Sequence, residues 1–332
     1  MVISRRVATV LAFFLWPALG LAEPPRLALP LACTPGEDCW IVNHVDHDPS
    51  PLFRDYACGT AGYDGHKGVD FAIRDKETMR LGVPVLAAAP GVVSGARDGM
   101  KDGEFQGAGG PEAVKGKECG NGVNVAHADG WSTVYCHLLR NSVKVKKGDK
   151  VEAGTPLGLV GLSGQTEFPH VHLQAMKGKE IVDPFRGADE TGKDCGPGRN
   201  ALWTPEVLDR LPYRPTALYL AGFAPSEPKV EGVRAGLYHD SVLPLLAPAL
   251  VFWVDIFNVR AGDELAILIQ APDGTDVIRH AKTLDKDQAR RFAFAGAPRK
   301  SLFWKEGLYR GEAILARKGQ PDLRIRREVT IK

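Results

Sequence analysis

All six cysteines of this 332-residue chain, Cys33, Cys39, Cys58, Cys119, Cys136 and Cys195, precede position 196, and the remainder has none. An even number of cysteines confined to one part of a chain reads as a disulfide framework, provided that part reaches an oxidising compartment. The first 22 residues supply such a route. Arg5 and Arg6 precede an uncharged, mostly apolar run from Val7 to Leu21, and Gly20 and Ala22 offer small residues for cleavage. That run is too short for a membrane anchor and is broken by Pro17, so a cleaved signal peptide at residues 1–22 is expected, with no membrane span afterwards. Many pairings are open to six cysteines. Cys33 and Cys39 are close enough for a local loop, and Cys119 and Cys136 flank two alternating segments that turn near Ala128 to Gly130. Cys58 is then left for Cys195. A structural zinc held by cysteines is the competing reading, but no Cys-x-x-Cys spacing is present.

Charge narrows the partners. The chain carries 42 Lys and Arg against 40 Asp and Glu, and removing Arg5 and Arg6 with the signal leaves the two signs balanced. A chain without a net positive field gains little from counterion release, so no nucleic-acid partner is expected. The apolar stretch from Val242 to Val254 is too short to span a bilayer and reads as one buried core strand.

The cysteine boundary divides the chain into two parts. A Pro- and Gly-rich stretch, residues 196–215, reads as a linker between a first domain at 55–195, preceded by an N-terminal segment at 23–54, and a second at 216–332. Both read as all-β. In the first domain, short β-rich segments alternate with glycine turns: Val83 to Ala88, Gly91 to Ser94, Gly122 to His127, Trp131 to His137, Lys150 to Glu152, Leu157 to Val160 and His170 to Ala175. A Gly-rich insert from Arg97 to Gly120 is long enough to be a mobile loop at the rim of a site. Beyond the linker, strands are expected at Ala217 to Phe223, Ala249 to Val259, Glu264 to Gln270, Val277 to Lys282, Arg290 to Ala295, Leu308 to Ala316 and Leu323 to Ile331. That spacing suggests a β-sandwich of immunoglobulin-like type.

The histidines carry the chemistry. Residues two apart on a strand project to one face, so His170 and His172 in PHVHL can look into one cavity while Val171 packs behind. His66 and Asp70 in GHKGVDF, four apart, converge in the same way when extended. Two imidazoles and a carboxylate would leave the fourth position of a zinc ion open, the pattern of a hydrolytic site. His127 reads as structural, and His239 and His280 as surface residues. His44, Asp46, His47 and Asp48 are dense enough to suggest a second metal cluster, yet read better as a polar turn before Pro49.

Five stretches, GHKGVDFA at 65–72, GVPVLAAAPGVV at 82–93, GNGVNVAHADGWSTVYCHL at 120–138, VKKGDKVEAGTPLGLVGLSG at 145–164 and PHVHL at 169–173, together resemble the zinc metallopeptidases of the lysostaphin and LytM type, peptidase family M23. The resemblance covers residues 55–185 and follows the family's order. It implies an antiparallel β-sheet domain of LytM type binding one Zn2+ per chain, with His66, Asp70 and His172 as ligands and His137 and His170 as the paired catalytic histidines. Glu167 and Phe168 depart from the small residues usual before the proline, and Leu173 and Gln174 from the Phe-Glu usual after the second histidine. These changes affect substrate preference rather than the ligand set.

For an exported chain, the resemblance implies a zinc-dependent endopeptidase acting on the stem peptides or cross-bridges of peptidoglycan, in the periplasm or outside the cell, with the cysteines favouring the periplasm. The alternative is a catalytically inactive envelope adaptor that binds and activates a cell-wall amidase. Relatives of that kind lose zinc ligands, which this chain keeps. The sequence names no partner for the second domain.

Overall fold

The computed structural model describes residues 23–103, 105, 109–188 and 194–332, so the signal expected at 1–22 lies outside the described residues. Among those described, no helix is long and apolar enough to cross a membrane.

The first half builds one antiparallel sheet from β1 (Cys39–Asn43), β2 (Val69–Ile73), β4 (Gly91–Arg97), β5 (Asn121–Ala126), β6 (Trp131–Leu138), β7 (Lys150–Val151), β9 (His170–Lys177) and β10 (Glu180–Val182). β3 (Pro84–Leu86) and β8 (Pro156–Leu159) form a separate ribbon. The sheet order is β1-β2-β9-β6-β5-β4-β7, with β10 on β9. Alternation makes these strands: in β6, Trp131, Thr133 and Tyr135 are buried while Ser132 and Val134 between them are half-buried. Val69, Phe71, Val123, Val125, Val171 and Leu173 join Tyr135 in a single core.

That core crosses the boundaries expected at 54/55 and 195/196. Leu27, Leu29 and Leu31 from the N-terminal segment, and Leu202, Trp203 and Leu211 from the expected linker, all belong to it. Leu27 N–H donates to Leu202 O at 2.7 Å, and Ala28 N–H to Ala88 O at 2.7 Å. Short helices interrupt the strands at α1 (Lys76–Leu81), α2 (Pro111–Val114) and α3 (Pro205–Arg210). Asp75 caps α1 by accepting from Thr78 N, and Thr204 caps α3 ahead of Pro205. The disulfides are Cys33–Cys39, Cys58–Cys195 and Cys119–Cys136, the expected pairing, so the cysteine-zinc reading falls away.

In the Arg97 to Gly120 insert, expected as a mobile loop at the rim of a site, several described residues are hydrogen-bonded to the rest of the domain. Asp98 accepts from Asn141 N at 2.7 Å, Asp102 from Arg140 N at 2.8 Å and from Leu162 N at 2.7 Å, and Phe105 N–H donates to Thr166 O at 3.1 Å.

The second half opens with β11 (Ala217–Ala224) and α4 (Val230–Ala235), followed by β12 (Val242–Leu243), β13 (Ala249–Val259), β14 (Glu264–Gln270), β15 (Asp276–Thr283), β16 (Gln288–Pro298), β17 (Gly307–Ala316) and β18 (Leu323–Ile331). A three-stranded sheet, β11-β13-β16, faces a five-stranded one, β12-β18-β17-β14-β15. Phe223, Phe252 and Val254 from the first sheet meet Ile267, Tyr309 and Ala313 from the second in one apolar core. This is the expected sandwich; its immunoglobulin-like type stays an expectation. The stretch from Val242 to Val254, expected as one strand, is two strands in different sheets, because Pro244 and Pro248 fall in the turn between them.

The halves pack together. Val42 and Ala72 share a buried cluster with Tyr219, Leu220, Trp253 and Phe257. Asn258 Nδ2 donates to Val42 O at 2.9 Å. His239 and His280 are both exposed, as expected, and His239 Nε2 also lies 2.7 Å from Asp75 Oδ2, joining the halves.

Candidate active site

Antiparallel pairing of β2 with β9 sets Asp70 opposite His172 and Ala72 opposite His170. This register brings the GHKGVDF and PHVHL motifs together across about a hundred residues of chain. Asp70 Oδ1 lies 2.8 Å from His172 Nδ1 and 3.1 Å from His66 Nε2, and the two imidazole nitrogens are 3.1 Å apart. Donors bound tetrahedrally at about 2.0 Å from zinc stand about 3.3 Å from one another. The three atoms fit that edge length closely, and His66, Asp70 and His172 could hold a metal ion. All three are screened from water, with side-chain exposures of 2%, 3% and 13%.

Hydrogen bonds behind the ligand atoms fix their orientation. His66 Nδ1 lies 2.7 Å from His44 O, so it donates there and leaves Nε2 as a free base. Asn43 Nδ2 donates to Asp70 Oδ2 at 2.8 Å, leaving Oδ1 for the site. Gly68 makes room for His172: a Cβ there would stand 2.6 Å from His172 Nε2 and 2.5 Å from Leu173 O, closer than any side chain tolerates. Burial opposes ionisation of Asp70, but the neighbouring His66 and His170 and the imidazole hydrogen bonds outweigh it and hold the carboxyl well below its ordinary range.

Two further histidines stand alongside. His170 directs Nδ1 to Phe168 O at 2.9 Å and to Thr166 Oγ1 at 3.0 Å, while Nε2 is 3.6 Å from Asp70 Oδ1. His137 directs Nδ1 to Ser163 O at 2.8 Å, and its ring centroid is 4.7 Å from that of His170. Each therefore keeps Nε2 as the unprotonated nitrogen. Burial pushes both imidazoles down, that of His137 well below its ordinary value, with the nearby His170 and His172 adding to the effect. His137 ends β6 in the left-handed region at φ 65°, which costs energy for a residue with a Cβ. Cys119 holds it there: its carbonyl accepts from His137 N at 2.8 Å, and its sulfur bonds the adjacent Cys136.

The remaining histidines are accounted for without metal. His127 bridges Pro90 O and Thr133 Oγ1. Asp46 caps Asp48 N and Gly65 N, His47 pairs with Asp183 at 2.6 Å, and His44 packs against Tyr56 and Phe185, so this cluster is a polar turn.

One part of the site was not legible. A cleft of about 480 Å³ beside Asp70 and His170 is walled by Phe105 and Phe168 on one side, and by Phe257, Arg234 and Arg290 of the sandwich on the other. Phe168 packs on His170 with centroids 4.7 Å apart and on Phe257 at 5.3 Å. The residue that departs from the usual pattern is therefore the one on which the second domain rests. Its strangeness before Pro169 was the available signal; its partner, 89 positions away by subtraction of the two residue numbers, was not.

Residues 64–184 match the family model described as peptidase family M23. Among curated relatives, the chain is 34% identical to the peptidoglycan DD-endopeptidase ShyA of Vibrio cholerae over 109 residues, 33% of this chain and 20% of that protein. It is 31% identical to the DD-carboxypeptidase/endopeptidase Mpg of Neisseria meningitidis over 119 residues, 36% of this chain and 22% of that one. The matches thus span about a fifth of these relatives' lengths. Among solved structures, a mutant catalytic domain of EnpA, a prophage-encoded M23 protein of Enterococcus faecalis, is 29% identical, covers 42% of this chain and 95% of that chain, and has a TM-score of 0.29. The matched segment, residues 64–184, contains His66, Asp70, His137, His170 and His172, so the residues of the site lie within the part of the chain that is similar to peptidase family M23.

Proposed function

We propose that the chain is an exported zinc endopeptidase that hydrolyses the peptide cross-links of peptidoglycan, with His66, Asp70 and His172 as ligands of one Zn2+. The observation that carries this reading is the triangle of donor atoms 2.8 to 3.1 Å apart with two buried, neutral-leaning histidines beside it. A zinc ion there would bring the pKa of a water towards about 7 and polarise the scissile carbonyl. His66, Asp70 and His172 are already oriented by second hydrogen bonds or by tight packing, so little reorganisation accompanies binding. His137 and His170 each present a free Nε2, one to take a proton from water and the other, once protonated, to hydrogen-bond the developing oxyanion. In this reading one peptidase unit is followed by a sandwich that walls its cleft. The relatives' named activities support the peptidoglycan substrate, and the three disulfides support an oxidising compartment such as the periplasm, which the signal read at 1–22 would reach.

Digestion of purified Gram-negative and Gram-positive sacculi, with fragments identified by mass, tests it. Cross-linked dimers should become monomers with glycan strands intact, and chelator should stop the reaction. An intact, zinc-loaded protein that cuts neither sacculus would make the amidase-activating adaptor the better reading.

A further inference from the structure

The wall that the sandwich adds to the cleft is polar in an unusual way. Asp255, fully buried on β13, accepts from Tyr219 Oη at 2.5 Å, from Arg234 Nε at 2.8 Å and from Arg290 Nη2 at 3.1 Å. Arg290 Nη2 also donates to Tyr219 Oη. Burial pushes the Tyr219 phenol up, so it stays neutral, and two guanidinium groups share a single carboxylate. One positive charge is left over on this wall. Arg290 is the better placed of the two to use it. Its guanidinium is flanked by the rings of Phe168 at 5.4 Å, Phe257 at 5.3 Å and Tyr219 at 5.7 Å, so its plane is fixed. Its Nε is buried without a hydrogen-bond partner, and among the described residues Nη1 takes no acceptor either. A rigid guanidinium that lines a cleft with Nη1 unused can give one charge-assisted hydrogen bond to a carboxylate. Asp70 and His170 line the same cleft, so a carboxylate held by Arg290 would belong to a peptide that also reaches the candidate metal site.

We infer that Arg290, backed by Arg234 and Asp255, forms a subsite in which the sandwich binds a free carboxylate of the peptide whose bond lies at the metal site. This makes Arg290 a specificity-determining residue supplied by a domain that contributes nothing to the ligand set. The inference rests on the endopeptidase reading for the identity of the peptide, and its test is kept separate from turnover. Binding is measured by calorimetry on the full-length, zinc-loaded protein in a His137→Ala background. The probes are the soluble cross-linked peptide dimer from sacculi and the same dimer with its carboxylates amidated. The free acid should bind about 10- to 100-fold more tightly than the amide, and Arg290→Gln should erase that preference by weakening only the acid. Because Arg290→Gln leaves Asp255 with one partner fewer, the charge-balanced Asp255→Asn/Arg290→Gln protein is measured alongside, and should show the same loss with zinc content and melting intact. Equal binding of acid and amide by the parent, no binding of either, or a preference that survives in both variants overturns the subsite. Acid-selective binding without any sacculus cleavage by the wild type would instead overturn the endopeptidase reading and leave the subsite standing.

Discussion

The two halves of the molecule bury different things. Among the described residues the sandwich buries Thr216, Asp255 and Asp263 as its polar groups, whereas the peptidase half buries His44, Asp55, His66, Asp70, Asn121, His137, Ser163, His170, Asp183 and several others. Apolar side chains packed between two sheets can hold a fold without covalent help. A core crowded with groups that need partners gains less from burial, and there the three disulfides are found. The difference teaches that the half crowded with buried polar groups is also the half held by covalent links.

Four experiments break or sharpen that contrast. Phe252→Ala empties a fully buried position of the sandwich and should cost about 3 to 5 kcal/mol of stability, read by denaturant unfolding, without changing zinc content. A loss of zinc with it would mean that the halves do not divide the work. In the peptidase half, His137→Ala should lower turnover of cross-linked dimers about 100- to 1000-fold while melting and zinc content stay near the parent values. Undiminished turnover would remove His137 from the machinery. Opening Cys58–Cys195 by Cys58→Ser with Cys195→Ser should cost about 2 to 4 kcal/mol, lowering the melting of the peptidase half ahead of the sandwich. Equal shifts in both halves would contradict the division.

The smallest effect concerns the seam. Burial opposes the charge on Asp75, but hydrogen bonds from His239 and Thr78, with Arg74 nearby, hold its carboxyl down at about 2 against an ordinary 3.8. A carboxyl depressed in the folded state contributes stability that is present above its unfolded value and lost as pH falls through the folded one. The seam should therefore loosen between about pH 4 and pH 2. Asp75→Ala, which also removes the cap of α1, should cost about 1 kcal/mol near neutrality and flatten that acid limb in a pH series of unfolding curves. An unchanged acid limb would place the sensitivity elsewhere.

Most of the strands were legible because alternation is a local property. Ala249–Val259, Glu264–Gln270 and Leu323–Ile331 were read with the bounds they have. β1 was missed because its partner β2 lies far along the chain and five residues leave little pattern. α1 and α3 are too short for helical periodicity, although Asp75 and the Thr204-Pro205 pair marked their starts. The residues of the candidate metal site were readable since each motif places its side chains within one strand or beside it. Arg290 was not, for nothing near position 290 announces a site; only the fold brings it into one cleft with His170.

A cleft whose two walls come from separate stretches of sequence has a consequence for how such a protein can change. Recombination that exchanges the second stretch replaces one wall and leaves the motifs of the candidate metal site untouched. Phe168 marks the limit of that freedom, because a newcomer must offer a surface that accepts its ring where Phe257 does now. If the proposed function holds, bond cleavage and bond choice would be inherited from different segments, and a graft that keeps the first while varying the second would be a route to new selectivity.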